Sequence, residues 1–401
     1  MLHDQPFNGY QAGEFNTLKA RIEEDRFKLY VNGQLVLEST NRNLTGGTPG
    51  LAKFRETAAD FRNFQVAKKI DAATLSAAER NELSEAISAI PPLADLQSDA
   101  LSPFVDSPIE SRAILHAEVK KLEQKLAELK KLDSDVHTAA VAQEMKRYFG
   151  AYEKQLSEQE DKQAVSLDLI NAALIIASVD EQDINIEAYL RQVERMVGDI
   201  RSQLADNASP DEVRKALNHY LFEDNGFHGA RFDYYNRANS YINRLLDDRE
   251  GLPITLSVLY MALGKRLGLQ IDGVGIPGHF IVRQRIDDEM LYIDPFDEGK
   301  ELSMDDVKNL ATGDRPDRFD ERFLETASPK NILMRILNNL LGLAQDEEDK
   351  EGMLRYLEVL MALDETHVQN RGMRAIVRFE TGRKQAAIDD LDYFLDTPPP
   401  E

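Results

Sequence analysis

Residues 251–269 read GLPITLSVLYMALGKRLGL, and no other stretch limits the fold so tightly. Gly251 closes the element before it, and Pro253 fits the first helical position, where its missing N–H costs nothing. Leu256, Leu259, Tyr260 and Leu263 recur at helical spacing, Leu267 extends the stripe, and Gly268 stops the helix. A helix this apolar has to be buried, so other elements must surround it. Ile271–Ile276 follows as a strand, and PGHFIVRQ and MLYIDPF form a hairpin around Asp287 and Asp288.

Strand alternation then places side chains. His279, Ile281 and Arg283 share one face, and Phe280 and Val282 share the other. A hairpin turn of two or four residues puts Asp294 on the His279 face and Ile293 opposite; a turn of three separates them. Same-face neighbours on adjacent strands lie about 5–8 Å apart, so imidazole and carboxylate can meet as a base and its orienting group. Two plainer readings stand beside this one. His279 can be a satisfied core histidine, and Asp294, before Pro295, can bond backbone amides at a strand end.

The stretches NSYINRLLDDREGLPITLSVLYMALGKRLGLQIDGVGIPGHFIVR and LYIDPFDEGKELS resemble the transglutaminase-like family whose members also carry C-terminal tetratricopeptide repeats. The resemblance spans residues 166–310 and implies a papain-like core, a central helix on an antiparallel sheet. In that superfamily such a His and Asp complete a Cys-His-Asp triad. Counting back from Gly268, the cysteine position is Pro253, and the chain contains no cysteine at all. A thiolate attacks well because its pKa is within reach of a neighbouring imidazole, and proline has no such group.

Thr255 and Ser257 are the hydroxyls nearby. At about 100° per residue Thr255 points about 200° away from the lost thiol, while Ser257 returns to about 40° one turn deeper. Packing within the helix is their plain reading, with Ser257 the alternative nucleophile. Asn239, Ser240 and Asn243 match the family pattern, either lining a groove or capping a helix start. Arg283 is a further binding candidate. The seven histidines are scattered without an HExxH pair, so neither a metal nor a cofactor is expected.

Residues 1–70 have another texture. FNTLKARIEEDRFKLYVNGQLVLEST alternates through Leu18–Ile22 and Phe27–Val31, and Asn-Gly turns the chain into Leu35–Leu37. GGTPGLAKF is another turn cluster, and Phe61, Phe64 and Val66 read as a last strand. This stretch resembles the closing half of a concanavalin-like β-sandwich, the domain assigned to 3-keto-disaccharide hydrolases, which implies possible carbohydrate contact. Half a sandwich leaves an apolar face and raw edges, so an upstream portion or a neighbour is expected.

Residues 71–163 read as a helical linker with a break at SAIPPLADLQSDALSPFVDSP. Leu115, Val119, Leu122, Leu126 and Leu129 form a seam of about two heptads, too short for a coiled coil and read as a packed spacer. At the chain's other end, Leu354, Leu357 and Leu360 recur as Ile388, Leu391 and Phe394 at an offset of 34, the period of tetratricopeptide repeats.

The whole reads as a multidomain α+β protein: a partial antiparallel β-sandwich at 1–70, the linker at 71–163, a transglutaminase-like α/β core at 164–325, and C-terminal α-α repeats at 326–397. The formal charge of -23 repels phosphate backbones and excludes nucleic acid as a partner class. No apolar run is long enough to span a membrane, so the chain as it stands is expected in the cytoplasm, with export open if an upstream segment exists. The leading expectation is a binding protein without a nucleophile, taking a protein or peptide through its groove and repeats. A hydrolase of amide or ester bonds through His279 and Asp294 is the alternative, with a glycoside-related activity in the N-terminal region as a weaker form.

Overall fold

The computed structural model describes residues 16–23, 26–40, 66, 77–90, 104, 108–160, 165–286, 289–313 and 315–396. The chain divides into two compact units, Met1–Glu118 and Val119–Glu401.

The first unit holds an antiparallel sheet of β1 (Leu18–Glu23), β2 (Arg26–Val31) and β3 (Gln34–Ser39). Asn32 and Gly33 both take positive φ, 51° and 81°, as a tight hairpin turn requires. Leu18 and Ile22 of this sheet are exposed. The turn cluster GGTPGLAKF and the residues Phe61 and Phe64 lie outside the described residues, and Val66 belongs to no strand. A helix, α1 (Ala77–Ser88), follows.

Next comes α2 (Pro108–Glu158), 51 residues long, and the division between the units falls within it. Its seam does not pack as the spacer reading requires: Val119, Leu122, Leu126 and Leu129 are all exposed. The buried hydrophobic residues of α2 come a few turns later, at Val141, Met145 and Phe149.

In the second unit, α3 (Leu169–Ala177) and α4 (Ile186–Ser202) start at Asp168 and Asn185, whose side chains accept from free backbone N–H groups of the first turn. Ser209 and Glu212 form a reciprocal capping box at α5 (Pro210–Asn218), with Pro210 opening the helix. Two short parallel strands, β4 (His228–Gly229) and β5 (Glu250–Gly251), flank α6 (Ile242–Asp248) and lead into α7 (Pro253–Arg266).

Every residue of α7 from Pro253 to Gly264 is buried. A full side-chain burial of this kind contributes about 1.5–3 kcal/mol, which makes α7 the axis of the unit. A four-stranded antiparallel sheet lies against it in the order β6 (Ile271–Ile276), β7 (His279–Ile286), β8 (Glu289–Asp294), β9 (Lys300–Leu302). Phe280, Val282 and Ile293 belong to the core around α7, and Val274, Ile281 and Tyr292 to a second core completed by Val307 and Ala311 of α8 (Met304–Thr312). The helix approaches the sheet closely at Gly264, where a Cβ would lie 2.5 Å from Ile271 Cδ1.

Four helices end the chain: α9 (Pro329–Asp346), α10 (Lys350–Leu363), α11 (Val368–Glu380) and α12 (Lys384–Asp396), each packed on the next. One hydrophobic core runs from Val141 through α7 to Val377, so the boundary drawn at residue 325 does not separate two cores. Leu354, Leu357 and Leu360 are buried, whereas their repeat mates Ile388 and Leu391 are exposed. The repeat in sequence is therefore not a repeat of environment. Among the described residues no helix is long and apolar enough to cross a membrane.

Candidate functional site

β7 and β8 pair with Ile286 opposite Glu289, which leaves two residues between the strands. In that register Asp294 falls on the His279 face, and the two side chains meet: His279 Nε2 lies 2.8 Å from Asp294 Oδ2. The other carboxylate oxygen, Oδ1, accepts the Phe296 N–H at 2.9 Å. Asp294 thus bonds the imidazole and caps the strand end at once. With the carboxylate ionised, Nε2 carries the proton of the neutral ring and Nδ1 is the open base. The Phe296 ring stands edge-on to the imidazole, centroids 5.7 Å apart. On its other side Phe296 presses on Gly229, where a Cβ would sit 2.5 Å from the ring.

The other residues singled out from the sequence are placed as follows. Pro253 is buried at the start of α7. Ser257 is sealed in the core and donates to the Phe280 carbonyl at 3.4 Å, so no hydroxyl of this helix is brought to the imidazole. Thr255 donates to the carbonyls of Asn239 and Leu252. Asn239 in turn donates to the Asp233 and Tyr234 carbonyls, fixing the loop before it. Ser240 is buried, and its hydroxyl has no partner among the described residues. Asn243 reaches Glu181 at 2.7 Å, and its side-chain carbonyl oxygen has no partner among the described residues. Arg283 donates to the Leu324 carbonyl at 2.9 Å and to Thr326 Oγ1, holding the chain that returns to the sheet.

Glu181 borders an open cleft of about 820 Å3 lined also by Asp180, Tyr189, Arg195 and Asp247. Neither His279 nor Asp294 lines it. The cleft therefore lies apart from the His279–Asp294 pair. No group of His, Asp and Glu able to hold a metal occurs among the described residues.

Two residues around His279 escape a reading of motifs: Phe296, edge-on to the imidazole, and Arg335, which donates to the His279 carbonyl. Phe296 follows the Asp-Pro pair and could have been taken with it. Arg335 interrupts the apolar stripe of NILMRILNNLL, a signal that gains meaning only when its neighbours are known.

Residues 187–338 match the transglutaminase-like superfamily. The chain is similar to the UPF0162 protein of Xylella fastidiosa (strain Temecula1), 31% identical over 235 residues, covering 57% of this chain and 84% of that one. The UPF0162 protein of Haemophilus influenzae is 27% identical over 237 residues, covering 54% of this chain and 82% of that one. Human F-box only protein 21 is 30% identical over 182 residues, which are 43% of this chain and 28% of the human protein. No solved structure matches. The superfamily match stops at residue 338, short of α10 to α12, and lies wholly outside the N-terminal sheet. From these likenesses, the chain belongs to the UPF0162 family and carries a transglutaminase-like domain at residues 187–338.

Proposed function

We propose that this chain is a non-catalytic transglutaminase-like protein that binds a protein or peptide. The observation that carries this reading is the buried proline at the start of α7, with no hydroxyl bonded to the His279 imidazole among the described residues. Acyl transfer needs a nucleophile within about 2.6–3.2 Å of its base. Ser257 spends its hydroxyl on a backbone carbonyl inside the core, and Phe296 packs against the imidazole. The helices α9 to α12 offer a partner-binding surface beside this domain, as the tetratricopeptide resemblance implies. Similarity to proteins named F-box only protein 21 fits a partner that is itself a protein. Carbohydrate contact at the N-terminal sheet rests on the sequence resemblance alone.

The competing reading is a hydrolase in which His279, oriented by Asp294 at 2.8 Å, activates water or Ser257 through Nδ1. Partner capture with wild type and a folded His279→Ala variant separates the two. Capture should survive the substitution, and amide and ester libraries should show no turnover. Serine-directed labelling that disappears in Ser257→Ala, or capture lost from a folded His279→Ala protein, would overturn the binding reading.

A further inference from the structure

The open cleft of about 820 Å3 is negative, and most of its charge is unmatched. Its walls are the loop after α3, the first turns of α4, and Asp247 of α6. Four carboxylates line it, Asp180, Glu181, Asp183 and Asp247, against one basic side chain, Arg195. Asp180 meets Arg355 at 2.8 Å, but Glu181, Asp183 and Asp247 form no ion pair among the described residues.

Neutral donors hold two of these carboxylates in place. Asn243 Nδ2 donates to Glu181 Oε2 at 2.7 Å, and the Tyr189 hydroxyl donates to Asp247 Oδ2 at 2.7 Å. Burial first, and then the bond to Asp247, push the Tyr189 phenol up to about 12, so it remains a donor near neutral pH. Each donor occupies one oxygen of its carboxylate. Glu181 Oε1 and Asp247 Oδ1 make no hydrogen bond among the described residues. Asn243 adds a separate sign. It is 0% exposed, and its side-chain oxygen has no partner among the described residues. Asn243 and Asp247 lie one turn apart on α6 and so share a face, and the bond to Glu181 turns the Asn243 amide toward the cleft wall. A buried acceptor without a donor is destabilising, and an N–H brought by a ligand removes that cost.

We propose that this cleft binds the guanidinium of an arginine side chain on a protein partner, with Glu181 and Asp247 as its carboxylates and the Asn243 side-chain oxygen as the acceptor behind them. The proposal rests on the binding reading for the ligand being part of a protein. A guanidinium spreads five donors over a plane and can meet acceptors on more than one wall. A metal ion needs its ligands drawn together, and no such group of His, Asp and Glu occurs among the described residues. The cleft has the size of a ligand site and admits a side chain with its neighbouring backbone. A purely structural role does not account for the arrangement. Asp180, which ties the core together, is matched by a cation, whereas Glu181 and Asp247 are oriented by groups that leave their charge in place.

The test uses the full chain and calorimetric titration with acetyl-Gly-Arg-Gly-amide, its lysine counterpart, its uncharged citrulline counterpart, and ethylguanidinium. The arginine peptide should bind at least about tenfold more tightly than the citrulline peptide, as charged hydrogen bonds require. The lysine peptide should fall between them, since an ammonium carries the charge without the planar fork. Glu181→Gln and Asp247→Asn keep an acceptor oxygen and remove only the charge, so each should weaken the arginine peptide by about three- to tenfold. Asp206→Asn alters an exposed carboxylate outside the cleft by the same charge and should leave the affinity unchanged. Equal binding of the arginine and citrulline peptides, tighter binding of the lysine peptide, ethylguanidinium as tight as the arginine peptide, or no binding at all would each overturn the proposal. So would an Asp206→Asn loss equal to that of Asp247→Asn, which would mark mere attraction to an acidic surface. Should Glu181→Gln fail to fold, Asp247→Asn decides, because its position is exposed and wild-type affinity there refutes the assigned pair. Turnover of an ester or amide would instead strike the non-catalytic reading and leave the preference for a cation standing.

Discussion

Removing Asp180 should do more damage than any surface carboxylate. It sits after α3 and accepts the Tyr241 hydroxyl, the Tyr356 hydroxyl at 2.5 Å and Arg355 Nε at 2.8 Å. Tyr241 opens α6 and Arg355 and Tyr356 lie on α10, so one carboxylate joins three elements of the core. In Asp180→Ala the Arg355 guanidinium, only 22% exposed, keeps just Asp349 at 4.0 Å. The phenols are 3.0 Å apart and can still bond one another, which leaves one of the two hydroxyls without an acceptor. Stranding a half-buried charge costs about 3–5 kcal/mol, and the orphaned hydroxyl lies within that figure because these losses do not add. Urea unfolding at matched slope measures the change. Arg355→Ala in the same background should cost less than the two single losses together, with coupling of about 1–3 kcal/mol. A loss below about 1 kcal/mol, or zero coupling, would show that the network is ornamental and refute the reasoning.

The same tyrosines predict an alkaline limit. Burial first, and then the Asp180 charge, push the Tyr241 and Tyr356 phenols far above their usual value of 10.0. A folded-state pKa raised in this way leaves stability intact below pH 10 and removes it as pH rises further, because only the unfolded chain ionises readily. Stability by urea unfolding should fall steadily above pH 10, and absorbance at phenolate wavelengths should show these two rings silent until unfolding. At Gly229 an added methyl would meet the Phe296 ring at 2.5 Å. Gly229→Ala should therefore cost about 1–3 kcal/mol by overpacking and shift the His279 ring resonances in NMR spectra, whereas Gly198→Ala, with open space around it, should leave them unchanged.

What the sequence determined by itself was local. Apolar spacing and the bracketing by Pro253 and Gly268 were enough to place the α7 helix, because a helix this apolar has one stable environment. Asn-Gly was enough for the β2–β3 turn, since both residues tolerate positive φ. The period of two along β7 and β8 narrowed the His279–Asp294 question to the parity of the turn. Tertiary structure decided the rest. The exposure of Leu122 and Leu126, the burial of Leu357 against the exposure of Leu391, and the sealing of Ser257 depend on which elements pack together, and the same heptad or repeat pattern is compatible with either outcome. Arg335 is far from His279 in the chain and met no motif; only the packing of α9 against the sheet brings its guanidinium to the His279 carbonyl. Periodicity specifies what a residue can face, and packing specifies what it meets.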